Sequence, residues 1–159
     1  MRRIISTASI VLLAMQLFLS TAYAVGPSTT ESRIDYEDGS YAIITTVTPG
    51  AVRAAVADEK TYTYYNPSGK KCFAYTLYAT FSYDGRTSRA LSCDYDIGLS
   101  PDGWDIDSHD EWTSGNTAYG EAVFTGPGGT EREVSLSLTC DKDGNVKCLC
   151  HAARSPIPG

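Results

Sequence analysis

The chain is poor in positive charge. Lys and Arg total 13 against 19 Asp and Glu in 159 residues, a formal charge of −6. Two of those cations, Arg2 and Arg3, lie in a segment read below as a cleaved leader, so the mature chain is more negative still. Nucleic acid and anionic membrane surfaces need clustered positive charge, and this balance excludes both as partners. Glycine (14) and proline (7) are not in excess, which argues against collagen-like or low-complexity sequence. Histidine occurs only at His109 and His151, and no Gly-x-Ser-x-Gly elbow presents a serine nucleophile. Long apolar runs are missing beyond the first 24 residues, and so is any long stretch with helical periodicity. What remains is 42% apolar and 11% aromatic, enough to build a core.

Met1 to Ala24 reads as a secretory signal peptide. Arg2-Arg3 forms a basic head, Ile10 to Leu19 an apolar centre, and Ala22-Tyr23-Ala24 places small residues at a cleavage site. A membrane anchor would need about 20 continuous apolar residues, and Ser6, Thr7 and Ser9 leave this run too short. The expected organisation is a signal peptide over 1–24, a flexible lead-in over 25–39, a β-sandwich domain over 40–150 and a disordered tail over 151–159. Such a protein is secreted, extracellular and monomeric, with no membrane contact once the leader is removed.

Apolar and polar residues alternate along most of the mature chain. Phe73, Tyr75, Leu77, Ala79, Phe81 and Tyr83 interleave with Ala74, Thr76, Tyr78, Thr80 and Ser82, which puts the first set on one face of a strand. Leu91, Cys93, Tyr95, Ile97 and Leu99 alternate with polar residues, as do Val134, Leu136, Leu138 and Cys140. Trp104 and Ile106 alternate with Asp105 and Asp107, and Trp112 continues that apolar parity. Tyr41 to Thr48 and Lys60 to Tyr65 are further strands, while Val52 to Asp58 reads as ambiguous, with a helical turn as one option. Seven or eight short strands without a long helix predict an antiparallel β-sandwich. Cys93, Trp104 and Cys140 give it an immunoglobulin-like flavour, although Leu138 stands where such domains carry a corner tyrosine.

Facing residues in a hairpin share a face, so parity constrains the turn at Asp84-Gly85. A three-residue bulged loop, Tyr83-Asp84-Gly85, would pair Ser82 with Arg86 and bring Leu77 opposite Leu91 and Tyr75 opposite Cys93. That is the register expected.

Five cysteines in an oxidising compartment predict disulfides, with one thiol left over. Cys93 and Cys140 both point inward by parity and are the favoured bridge. Cys72 is assigned to Cys148 or Cys150.

The motif Thr61-Tyr62-Thr63-Tyr64-Tyr65-Asn66, followed by Ser68-Gly69-Lys70, resembles a group of small secreted proteins of Gram-positive gut bacteria. The resemblance continues through Phe81-Ser82-Tyr83-Asp84-Gly85, Trp104-Asp105-Ile106, Ser114-Gly115-Asn116-Thr117-Ala118 and Leu138-Thr139-Cys140-Asp141-Lys142-Asp143-Gly144-Asn145. It covers roughly Asp38 to Val146 and implies export and a β domain. It transfers no activity and no catalytic residues. Members of the group carry a cysteine near Cys93 and one at Cys140, which agrees with the bridge above, whereas Cys72, Cys148 and Cys150 depart from its pattern.

Several constellations invite chemistry. Acidic residues crowd between Asp94 and Glu111, and alternation sets Asp105, Asp107, His109 and Glu111 on one side of a strand. Asp105, Asp107 and Asp110 are the candidate ligands for a weak calcium site, although no EF-hand glycine follows them. A carboxylate pair from the same stretch would serve a glycan hydrolase if one acid were desolvated in a groove. Cys140, Cys148, Cys150 and His151 could be read as a zinc set, with unusual spacing for one. Tyrosine is the more informative residue. Exposed tyrosine offers flat apolar area with a polar edge, suited to sugars or protein surfaces. Tyr62, Tyr64, Tyr78 and Trp112 are the candidate binding residues, weighed against tyrosine's ordinary role as a good strand residue. The reading is a non-enzymatic recognition module, without cofactor or resident metal, for an extracellular protein or glycan. The alternatives are the hydrolase and a structural protein with the calcium site.

Overall fold

The structure is a computed structural model in which residues 28–48 and 55–152 are described. The expected signal peptide and residues 153–159 of the tail lie outside them. Among the described residues nine strands form two antiparallel sheets. The first holds β1 (Ser28–Asp35), β2 (Tyr41–Thr48), β3 (Ala55–Tyr65), β4 (Lys71–Tyr83) and β5 (Ser88–Leu99), in that spatial order. The second holds β6 (Asp105–Ser114), β7 (Thr117–Gly126), β8 (Thr130–Cys140) and β9 (Val146–Ala152), again in sequence. Among the described residues no helix is long and apolar enough to cross a membrane.

The sandwich follows from the alternation. Phe73, Tyr75, Leu77 and Phe81 on β4 are fully buried, and so are Phe124, Leu136, Leu138 and Tyr62. Phe73 stacks on Phe124 across the sheets with ring centroids 3.9 Å apart. Burial of each such side chain stabilises by about 1.5–3 kcal/mol. Small residues on β7 let the layers close: a Cβ on Gly120 would stand 2.5 Å from the Tyr75 hydroxyl. Trp104 packs just as closely over Gly126, which seals one end of the core beside Tyr64 and Phe73.

Four expectations need correction. The strands among the described residues number nine, because Ser28–Asp35, expected within the lead-in, pairs with β2 along its whole length. The ambiguous stretch ends inside β3, which begins at Ala55. Each sheet is a meander of consecutive strands, whereas immunoglobulin domains interleave their strands between the two sheets.

The register is the fourth. Tyr83 pairs with Ser88, leaving a four-residue turn, and β5 then bulges at Leu91 so that Ala79 meets Cys93 and Leu77 meets Tyr95. Asp84 explains the longer turn, since its carboxylate accepts the N–H groups of Arg86 and Thr87 at 2.8 and 2.7 Å. The apolar faces agree as expected, but through a turn one residue longer and a bulge further on. Leu91, the extra residue, is 55% exposed. A second bulge at Asp107 does the same to β6.

The cysteines also depart from expectation. All five are free thiols, so neither Cys93–Cys140 nor a bridge from Cys72 to Cys148 or Cys150 exists. Parity put Cys93 and Cys140 on inner faces, but it says nothing of their separation across the sheet. Asp58, Ala79 and Cys93 form one row over β3, β4 and β5, with Cys93 at its outer end. Cys140 lies instead beside the start of β5, where its carbonyl accepts the Ser88 hydroxyl at 2.7 Å, five residues along the strand from Cys93. Cys72 is the unpaired residue of a bulge between β3 and β4, bonded through Sγ to the Lys70 carbonyl at 3.6 Å. Cys148 and Cys150 instead face Lys60 from the edge strand β9.

Candidate functional site

Hydrogen-bonded pairs share a face, so the strand registers place every side chain of the second sheet. Ala118, Gly120, Ala122 and Phe124 of β7 are buried inward. The intervening Tyr119 therefore faces out, opposite Trp112 on β6 and Ser137 on β8, with Leu149 of β9 completing the row. Trp112 and Tyr119 stack in parallel, their centroids 5.1 Å apart and their planes 11° from coplanar. Trp112 is 38% exposed and Leu149 60% exposed. This aromatic and apolar strip crosses all four strands, a span of about 14 Å. One row along, Asp110, Glu121 and Ser135 edge it with carboxylates and a hydroxyl.

Trp112 reaches this face because of the bulge. Counted from Ile106, simple alternation would have sent it inward. The extra residue at Asp107 reverses the phase, so His109 and Glu111 pair with the buried Ala122 and Gly120 while Trp112 turns to solvent. The same reversal breaks up the acidic group. Asp105 pairs with Thr125 on the outer face, Asp107 is the bulged residue and Asp110 faces out two rows away. Asp105, Asp107, His109 and Glu111 therefore do not share one side. No cluster of three or more His, Cys, Asp or Glu side chains able to hold a metal occurs among the described residues.

The tyrosine candidates divide between core and surface. Tyr62 and Tyr64 share a face, but it is the inner one, where they are 0% and 3% exposed. The Tyr62 hydroxyl bonds that of Tyr36 at 2.7 Å. The Tyr64 ring forms a three-ring cluster with Phe73 and Trp104, with the buried Arg132 guanidinium 5.3 Å from its centroid. These two rings hold the layers together and are closed to a partner. Tyr78 stands on the outer face of the first sheet at 39% exposure, as the alternation of β4 requires. Tyr119 and Leu149 belong with Trp112 and were not singled out from sequence. For Tyr119 the signal was present, since it falls out of phase with the small and apolar residues of β7 just as Tyr78 does on β4.

A cavity of about 750 Å³ is lined by residues of β6, β7 and β8, including His109, Asp110, Glu121 and Glu133, together with Ile34 and Cys150. Its three carboxylates are all exposed. Burial raises the pKa of Cys93 and Cys150 and so disfavours their thiolates, with Glu111 adding to the effect at Cys93 and Lys60 opposing it at Cys150. Tyr95 and His109 meet across the β5–β6 edge with ring centroids 4.3 Å apart. No family model, curated protein or solved structure matches the chain.

Proposed function

We propose that the protein is a secreted recognition module that binds an extracellular protein or glycan through the outer face of its second sheet. The observation that carries this reading is the Trp112–Tyr119 stack beside Leu149, solvent-facing and built on strands rather than loops. Rings held parallel by the sheet lose little side-chain entropy on binding and present a flat apolar platform. The Asp110 and Glu121 carboxylates and the Ser135 and Ser137 hydroxyls alongside supply acceptors for a sugar's hydroxyls or a peptide's N–H groups. Binding without turnover is favoured by the cavity carboxylates, since a general acid needs a desolvated carboxyl and these are open to water.

Screening the protein against a glycan array, mucus and serum proteins is expected to yield a saturable ligand. Trp112→Ala should weaken its binding at least tenfold, with the circular dichroism spectrum unchanged. Saturable binding that ignores Trp112→Ala, or hydrolysis of a glycan without saturable binding, would overturn the reading.

A further inference from the structure

The outer face of the first sheet carries a different kind of surface. Tyr78 pairs with Glu59 on β3 and Asp94 on β5, and Val47 lies beyond Glu59 in the same row. Asp96 follows on the same face of β5, paired with Thr76. Val47, Glu59, Tyr78 and Asp94, with Ala57 and Thr80, line a shallow hollow of about 200 Å³. Four ion pairs join described residues: Arg33–Asp35, Lys70–Asp102, Arg132–Asp38 and Lys142–Asp143. None of them neutralises Glu59, Asp94 or Asp96. Partial burial, then Glu59, Asp96 and Asp94 in turn, raises the Tyr78 pKa, so the ring stays neutral beneath three carboxylates.

We infer that this face docks an extended, basic segment of a partner protein, with an arginine or lysine side chain lying over Tyr78. The chemistry is complementary throughout. The tyrosine face attracts a cation, Val47 and Ala57 accept its aliphatic stem, and Glu59 and Asp94 flank the charged head. Asp94 and Asp96 are two residues apart on one strand, about 7 Å, the repeat of alternate side chains in an extended peptide. The partner segment therefore carries basic residues at every second position. This surface lies on the opposite sheet from Trp112, so it stands or falls independently of the function proposed above.

Calorimetric titration of the full chain with a short peptide alternating arginine and threonine tests the inference. One-to-one binding is expected, with no binding of the glutamate–threonine counterpart. Tyr78→Ala, and the double variant Glu59→Gln with Asp94→Asn, should each weaken binding tenfold or more, while Tyr78→Phe keeps the ring and most of the affinity. Asp143→Asn on a distant turn and Trp112→Ala should leave it within twofold. An absence of binding, indifference to Tyr78→Ala, or equal weakening by Asp143→Asn would overturn the proposal. The last result would reduce the effect to the chain's general negative charge.

Discussion

Tyr75 is wholly buried, yet among the described residues its hydroxyl has no hydrogen-bond partner. It sits over Gly120, so the close approach of β7 depends on the missing side chain there. A buried, unbonded hydroxyl costs about 1–3 kcal/mol, and an added methyl in this contact would force the sheets apart. Tyr75→Phe is therefore expected to raise the free energy of unfolding by about 1 kcal/mol. Gly120→Ala should lower it by about 1–3 kcal/mol. The double variant should recover part of that loss, because the hydroxyl is the nearest atom to the new Cβ. Urea unfolding of the four proteins measures the coupling, and strict additivity would show that the contact is not the source of strain. Arg132 is satisfied in part: its Nε too is buried without a partner among the described residues, but the rest of the group is held. Its buried guanidinium reaches the Asp38 carboxylate at 2.9 Å and lies near the rings of both Tyr36 and Tyr64.

At the level of the strand, two inserted residues decide what faces water. The bulge at Leu91 turns an apolar residue outward on β5, and the bulge at Asp107 turns Trp112 outward on β6. Leu91→Ser is thus expected to change stability by less than about 0.5 kcal/mol. Leu77→Ala, on the inner face of the neighbouring strand, should cost about 2–5 kcal/mol. Thermal denaturation of the two variants separates the cases, and a large loss from Leu91→Ser would contradict the bulged register. These bulges also mark the limit of what could be read from residue order. Alternation along Phe73 to Phe81 and Val134 to Cys140 identified the inner faces correctly, and Tyr78 with them. It is a local signal, however, and an inserted residue resets it without leaving a mark in composition. That is why the parity of Trp112 and the grouping of the aspartates failed while the two-layer architecture held. The misplaced bridge has a related cause, since parity assigns a face but not a distance across the sheet.

Across the whole molecule, the five thiols act together. Burial raises the pKa of Cys72, Cys93, Cys140, Cys148 and Cys150 above the ordinary 9.0. Tyr62 and Tyr75 are raised above 10.0, again chiefly by burial. Above those ordinary values the unfolded chain releases protons that the folded chain keeps, so stability falls as pH rises from about 9 upward. Tyr36 and Tyr78 are raised in the same sense, chiefly by burial, while Lys60, lowered from 10.5 chiefly by burial, works in the other direction and is outnumbered. The melting temperature is therefore expected to be level between pH 7 and 8.5 and to drop steadily from pH 9 to 11. Since no bridge supports the fold, a reductant at pH 7.5 should leave it unchanged, and five thiols should react once the chain is denatured. A reductant-induced drop would reinstate a disulfide.

The meander order has a kinetic consequence. Within each sheet, every strand pairs with its immediate neighbour in the chain, across connections of two to six residues. Closing so short a loop forfeits little chain entropy, so each ladder can zip from its turn without searching for a remote partner. The contacts that join distant parts of the polypeptide are those between the two sheets, centred on Phe73 and Phe124.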